Sequence, residues 1–222
     1  MTVDTWPAMS CRFDMAHYRE LLEAAKTGGY DWASFDRHPR PRDLFLRHDV
    51  DLSLEAALEM ARVEHELGVR ATYFLMTESA FYNLDSHVGH YAQRQLRLWG
   101  HAVGLHAVYP RAELDGRFDK VLAWHNPEPE YVAQPVFGVV NVMEAPYFTP
   151  GHYRSDSNAH WREGCPHDEL REGTFEWLQL LVHPEIWVYE GETMRATMLA
   201  MLDVKRAEWL DYLANDRIDL GE

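Results

Sequence analysis

Cysteine is scarce in this chain: Cys11 and Cys165 are the only two among 222 residues. Two cysteines cannot build a disulfide framework, and their scarcity suits a reducing compartment. No stretch approaches the roughly 18–20 apolar residues that a membrane span needs, so no membrane insertion is expected. The opening MTVDTWPAMSCRFD has neither the basic start nor the apolar core of a secretion signal, and a cytoplasmic location is the expectation. Basic residues are outnumbered, with 21 Lys and Arg against 36 Asp and Glu, for a formal net charge of −15. That deficit argues against nucleic acid as a partner, which calls for a basic footprint, and against an anionic membrane surface. A neutral or cationic ligand is easier to admit. Internal repeats and low-complexity linkers are also missing.

What the chain does have is histidine, 13 residues, together with eight tryptophans and 11 tyrosines. Histidine suits metal binding and acid–base work near neutral pH. Aromatic rings suit sugar faces, and Tyr73, Tyr82, Trp124 and Tyr147 are candidates for such a rim, although core packing is the commoner role for each. The hydrophobic fraction, 46%, and the length fit one domain over 1–222, with 1–43 as an N-terminal helix and lead-in and 193–222 as a closing helix.

Periodicity assigns the elements. Met15, Tyr18, Leu21, Leu22 and Ala25 recur at helical spacing over 13–26, and Gly28-Gly29 supplies the stop. Leu44 to His48 reads as a strand. Ser53 caps a helix with Leu54, Ala57, Leu58, Ala61 and Leu67 on one face. Strand 69–76, helix 86–99 and strand 102–107 follow, then shorter strands at 120–124 and 136–141, a strong strand at 175–182 and a helix at 193–213. Strands alternating with helices imply parallel strands joined by crossovers. A regular eight-fold barrel needs about 250 residues, so the expected fold is α/β, a shortened or distorted barrel.

In such folds ligands bind beyond the carboxyl ends of the strands. The strand at 44–48 runs into His48, Asp49 and Asp51; strand 102–107 ends at His106, strand 120–124 at His125, and strand 175–182 at His183. Asp49 and Asp51 are two apart, so in extended chain they share a face. Two such carboxylates suit a cation held by one and a base provided by the other. Equally, Asp51 with Ser53 could simply serve the start of the next helix. His101, after Gly100, reads as structural, and His87 and His90 as solvent-facing. Cys165-Pro166-His167, one thiol and one imidazole in a loop, carries little signal for a thiolate site.

The stretch "LFLRHDVDLSLEAALEMARVEHELGVRATYFLM" resembles the opening of the polysaccharide deacetylases, the NodB-type metal-dependent carbohydrate esterases. "GHAVGLHA" resembles their second motif. "YRSDSNAHW" and "LQLLVHPEIW" resemble the late motifs of a divergent subgroup linked to bacterial surface polysaccharides, the WbmS-like proteins. The likeness runs from about Asp14 to Trp187.

The resemblance implies an α/β fold, a distorted (β/α)7 barrel of the NodB type, and a metal-dependent hydrolase that removes an N-acetyl or similar acyl group from a sugar. The substrate would be a surface polysaccharide or its nucleotide-linked precursor, and the cofactor one divalent ion, zinc. It assigns Asp49 as base, His183 as general acid, and Asp51 and His106 as metal ligands. The family's second motif histidine would fall at Pro110, which cannot bind; His125 is the nearest replacement. The third-motif arginine has no counterpart, and His125-Asn126-Pro127 stands roughly in its place. Asp156 and Trp161 match the fourth motif and are the expected substrate-binding pair, Trp161 as the wall of an acyl pocket and Asp156 as a group that tunes a neighbour. Two alternatives remain: a metal-free sugar-binding or scaffold protein on the same fold, and a hydrolase of another amide. Oligomeric state is left open.

Overall fold

The structure, a computed structural model, describes residues 11–110 and 114–216. Residues 1–10 of the expected lead-in and 217–222 of the expected closing helix lie outside the described residues.

Helix α1 spans Met15–Thr27; the Asp14 carboxylate caps it, accepting from the His17 N–H at 2.7 Å. Its apolar stripe buries Tyr18, Leu21, Leu22 and Ala25 as the periodicity requires. The short strand β1, Asp31–Trp32, leads to β2, Asp43–Val50. All eight residues of β2 are buried, because both faces of the sheet are covered here. Ser53 caps α2, Leu54–Glu66. Then come β3, Thr72–Met76; α3, His87–Leu98; β4, Ala102–Ala107; β5, Val121–Trp124; β6, Val140–Asn141; and β7, Tyr153–Ser155. The chain continues through α4, His167–Glu172; β8, Leu178–Val182; α5, Pro184–Val188; and α6, Met194–Asn215.

The strands form one curled sheet in the order β6-β5-β4-β3-β2-β8-β7, with β1 beside β2. Every pairing between these strands is parallel. The chain is therefore α/β, a half-barrel of seven strands in series that is compatible with the expected distorted barrel. Expectation and structure part in the loop-rich late section. The strand expected over 136–141 shrinks to Val140–Asn141, since Val136 and Val139 bridge each other in a tight antiparallel turn. The strand expected from Phe175 starts at Leu178. β7 is too short for any periodicity to reveal.

Alternation along β2 sorts the core. Leu44, Leu46 and Val50 join the cluster shared with α1 and α2, so they face the helices. Phe45 joins Phe35, Phe74, Val121, Ala123, Val142 and Tyr147, a cluster without helical residues, which is the inside of the curl. Arg47 shares that inner face, its guanidinium 5.4 Å over the Phe74 ring. Gly104 on β4 lets the sheet close on this core; a Cβ there would meet the Phe74 ring at 2.6 Å.

On the helix side the core contains one polar knot. Glu64 of α2 is fully buried and accepts from Tyr18 and, at 2.8 Å, from Tyr73; it lies 2.6 Å from His48 Nε2. Burial by itself would raise this carboxyl, but His48 and its other partners hold it below the usual range. His101 adds to the knot, accepting from the Ala71 N–H at 3.2 Å and donating to the Ala61 carbonyl at 3.2 Å, which makes it the structural residue expected. Glu64→Ala is expected to cost about 3–5 kcal/mol, because it strands His48 and two phenols in the core. Urea denaturation measures this, and a loss under about 1 kcal/mol would contradict the knot's structural role.

Candidate metal centre and cleft

The parallel register sets the carboxyl ends of β2, β4, β5 and β8 side by side. Val50 pairs with Leu75, Met76 with His106, and Ala107 with Trp124, while His48 pairs with Val182 on the other flank. Asp51 directly follows β2, His125 follows β5, and His183 follows β8. A cleft of about 540 Å³ opens over these ends, lined by Asp49, Asp51, His106, His125 and His183 among others.

Three atoms from three strand ends converge within it. Asp51 Oδ1 lies 3.1 Å from His106 Nε2 and 3.2 Å from His125 Nδ1, and the two nitrogens are 3.2 Å apart. The edge of a tetrahedron with zinc-like bonds of about 2.0–2.1 Å is about 3.3 Å. The triangle thus matches one face of such a site, and the group can hold a metal ion. Asp51 Oδ1 is buried without a hydrogen bond of acceptable geometry, as an atom aimed at a shared point would be. His106 Nδ1 donates to the Ala123 carbonyl at 3.0 Å, which fixes the tautomer and leaves the Nε2 lone pair for the triangle. His125 Nε2 meets the Asn126 side-chain amide at 3.3 Å. Burial by itself would raise the Asp51 carboxyl; the two imidazoles outweigh it and hold it far below the usual range. Asp51 in turn raises the His125 ring.

Asp49 stands beside the triangle and outside it. Both its oxygens are taken by one guanidinium: Arg47 Nε donates to Oδ1 at 2.7 Å and Nη2 to Oδ2 at 2.6 Å. Arg47 is itself fully buried and donates to Gln179 Oε1 at 3.3 Å. Despite full burial, which raises a carboxyl, the Arg47 charge keeps Asp49 ionised. Asp49 Oδ2 is 3.7 Å from His106 Nε2, so this ionised carboxylate is next to the ligand atoms without being one.

Across the cleft His183 is locked by Asp156. The Asp156 carboxylate accepts from the His183 backbone N–H at 2.9 Å, from His183 Nδ1 at 2.6 Å and from Trp187 Nε1 at 2.7 Å. Burial lowers a histidine, but Asp156, then Asp51 and Asp49, outweigh it and push His183 up to about 10.

Asp49, Asp51, His106, His125 and His183 therefore meet at one cleft. The other two expected site residues do not. Asp156 and Trp161 are both essentially inaccessible and neither lines the cleft. Asp156 is consumed by three donors beneath His183, and Trp161 packs 6.1 Å from Phe13 and 6.3 Å from Trp187. Their place on the substrate side is corrected to support from behind the wall; Asp156 does act on a neighbour, His183. Of the aromatic rim, only Trp124 lines the cleft, joined by Phe148 and Tyr153. Tyr73 belongs to the Glu64 knot, Tyr82 bridges the Met76 N–H and the Val50 carbonyl, and Tyr147 sits in the inner core. Sequence reasoning missed Arg47. Its signal was there, two residues before Asp49 on a strand and hence on the same face.

No family model, curated protein or solved structure matches this chain.

In the metal-free protein His183 is expected to stay protonated past pH 8, read from its ring-proton NMR shift. Asp156→Asn should lower that titration by about 1–3 units. Because the folded pKa is raised, the pair's stabilisation is complete below about 6.5 and fades as pH climbs toward 10. The stability gap between wild type and Asp156→Asn should therefore be widest near pH 6; a gap that widens with pH would contradict the pairing.

Proposed function

We propose that this chain is a metal-dependent amide hydrolase that removes an acetyl or similar acyl group from an N-acylated sugar. The observation that carries the reading is the triangle of Asp51, His106 and His125, open to a cleft that also presents one ionised carboxylate and one protonated imidazole. Its substrate class, zinc as the metal, and the NodB-type barrel come from the motif resemblance. A cytoplasmic location fits the scarcity of cysteine, two residues in the whole sequence.

Asp51, His106 and His125 would hold the ion, which is the three-residue set with an open position that catalytic zinc sites use. A divalent ion bound there supplies Lewis acidity, polarising the amide carbonyl and easing ionisation of a water. Asp49 accepts a proton from the attacking water, and Arg47 holds its carboxylate at a fixed angle as that proton arrives. Water's oxygen bonds to the carbonyl carbon, the carbon–nitrogen bond breaks, and His183 delivers a proton to the departing amine. Asp156 keeps that imidazole charged and oriented; a cation nearby would bring its pKa down from about 10 toward the working range. Trp124, Phe148 and Tyr153 offer flat apolar faces to a sugar ring, while Ser155, Ser157 and Arg162 offer hydroxyl partners along the same cleft.

The metal-free binding protein rests on Pro110. His125, at 3.2 Å from both other ligand atoms, supplies the donor that Pro110 lacks, and this favours the hydrolase. Hydrolysis of another amide, such as a formamide on a nucleotide-linked sugar, uses the same residues.

Acetate release from N-acetylated oligosaccharides and UDP-N-acetyl sugars is the direct assay. Chelation should abolish it and added zinc restore it. Asp49→Asn, which keeps the shape of the carboxylate and removes its basicity, should lower kcat by about 10²–10⁴. His125→Ala should weaken zinc binding in direct titration by at least tenfold. Zinc affinity unchanged in His125→Ala, or acetate release unchanged in Asp49→Asn, would overturn these assignments.

A further inference from the structure

A second group of metal-ligating atoms lies apart from the cleft, among Cys11, His17 and Cys165, whose donor atoms all fall within 4.8 Å of one another. The three come from distant parts of the chain. Cys11 precedes α1, His17 is in its first turn, and Cys165 sits in the loop before α4. In sequence Cys165-Pro166-His167 looks inert; folding supplies the missing thiol and imidazole.

Three features suit this group to a cation. His17 Nδ1 donates to Glu20 Oε2 at 2.7 Å, so the Nε2 lone pair is turned toward Cys165 Sγ, 3.3 Å away. A carboxylate behind a histidine is the usual way of orienting a metal-binding imidazole. The sulfur–nitrogen edge of a tetrahedral zinc site is about 3.6 Å for ordinary bond lengths, close to the spacing found. Finally, Trp161 Nε1 is buried without a hydrogen bond of acceptable geometry beside Cys11, whose thiol is pushed up by its hydrogen bond with Cys165 and by burial, against a smaller opposing pull from that N–H. A thiolate held by a metal would give that orphaned donor an acceptor. Neither cysteine is disulfide-bonded, and both are only partly covered, so the group is reachable from solvent.

We propose that Cys11, His17 and Cys165 form a second, structural metal site, selective for a thiophilic ion such as zinc. Thiolate donors give it that preference over magnesium or calcium. The site clasps the lead-in segment and α1 to the loop ahead of α4. Three residues leave one position of a tetrahedral zinc site open, and the His167 ring lies 5.8 Å from that of His17. The clasp bears on the cleft from behind: His17 stacks 6.2 Å from Trp187, and Trp187 donates to the Asp156 that holds His183. It requires no catalysis by the cleft.

Cobalt discriminates the two sites, because only this one offers thiolate ligands. The reduced, metal-free full chain titrated with Co²⁺ should develop a near-ultraviolet thiolate-to-cobalt charge-transfer band. Asp51→Ala should keep that band and bind one equivalent fewer, whereas Cys165→Ser or Cys11→Ser should lose it. Zn²⁺ should raise the Tm of Asp51→Ala and leave that of Asp51→Ala/Cys165→Ser where it was. Absence of the band in the wild type would overturn the site. So would its persistence in both cysteine variants, or a Cys11–Cys165 disulfide that forms in glutathione buffer of cytosolic potential. Absence of acetate release in the wild type would leave the band standing, so failure of the hydrolase reading and failure of this one are separable.

Discussion

A carboxylate oxygen and two imidazole nitrogens crowded to within 3.1–3.2 Å of each other must share either protons or a cation. His106 has only one nitrogen to spare, since its other one is committed to the Ala123 carbonyl. Asp51 Oδ1 is cut off from solvent with no hydrogen bond of its own. Protons alone satisfy this geometry poorly, whereas a cation at the shared point satisfies all three atoms at once. The parallel sheet is what imposes the crowding: β2, β4 and β5 end at neighbouring levels, so residues just inside or just past each end cannot avoid one another.

The same sheet keeps the two aspartates in separate roles. Alternation puts Arg47 and Asp49 on the inner face, where the guanidinium closes over the carboxylate in two hydrogen bonds. A carboxylate so engaged is ionised but not free to swing toward a metal. Asp51, one residue beyond the strand, escapes that clamp and reaches His106 and His125. Residues two apart in sequence thus differ in chemistry because only one of them has an arginine beside it. On the far flank Asp156 does for His183 what Arg47 does for Asp49, fixing both charge and direction from a fully buried position.

Much of this was legible in the chain. Period-3.6 stripes located α1 and α2, and the apolar runs ending in Asp49, His106, His125 and His183 marked the strand ends that meet. The roles given to these residues are proposals that the motif resemblance suggested. What escaped were features set by distance in space. β7 has too few residues to show a period. Asp156 and Trp161 matched a pocket motif, yet three donors and a cluster of rings draw them under the surface. Arg47 was hidden in an apparently apolar strand. Cys11, His17 and Cys165 are scattered over more than 150 residues, and no local pattern could join them.

Anomalous diffraction from crystals of the zinc-loaded protein tests the central claim most directly. The account predicts a zinc peak bonded to Asp51 Oδ1, His106 Nε2 and His125 Nδ1, with Asp49 still paired to Arg47 and not ligating. A cleft that stays empty at saturating zinc, or a peak held by Asp49 in place of His125, would contradict it.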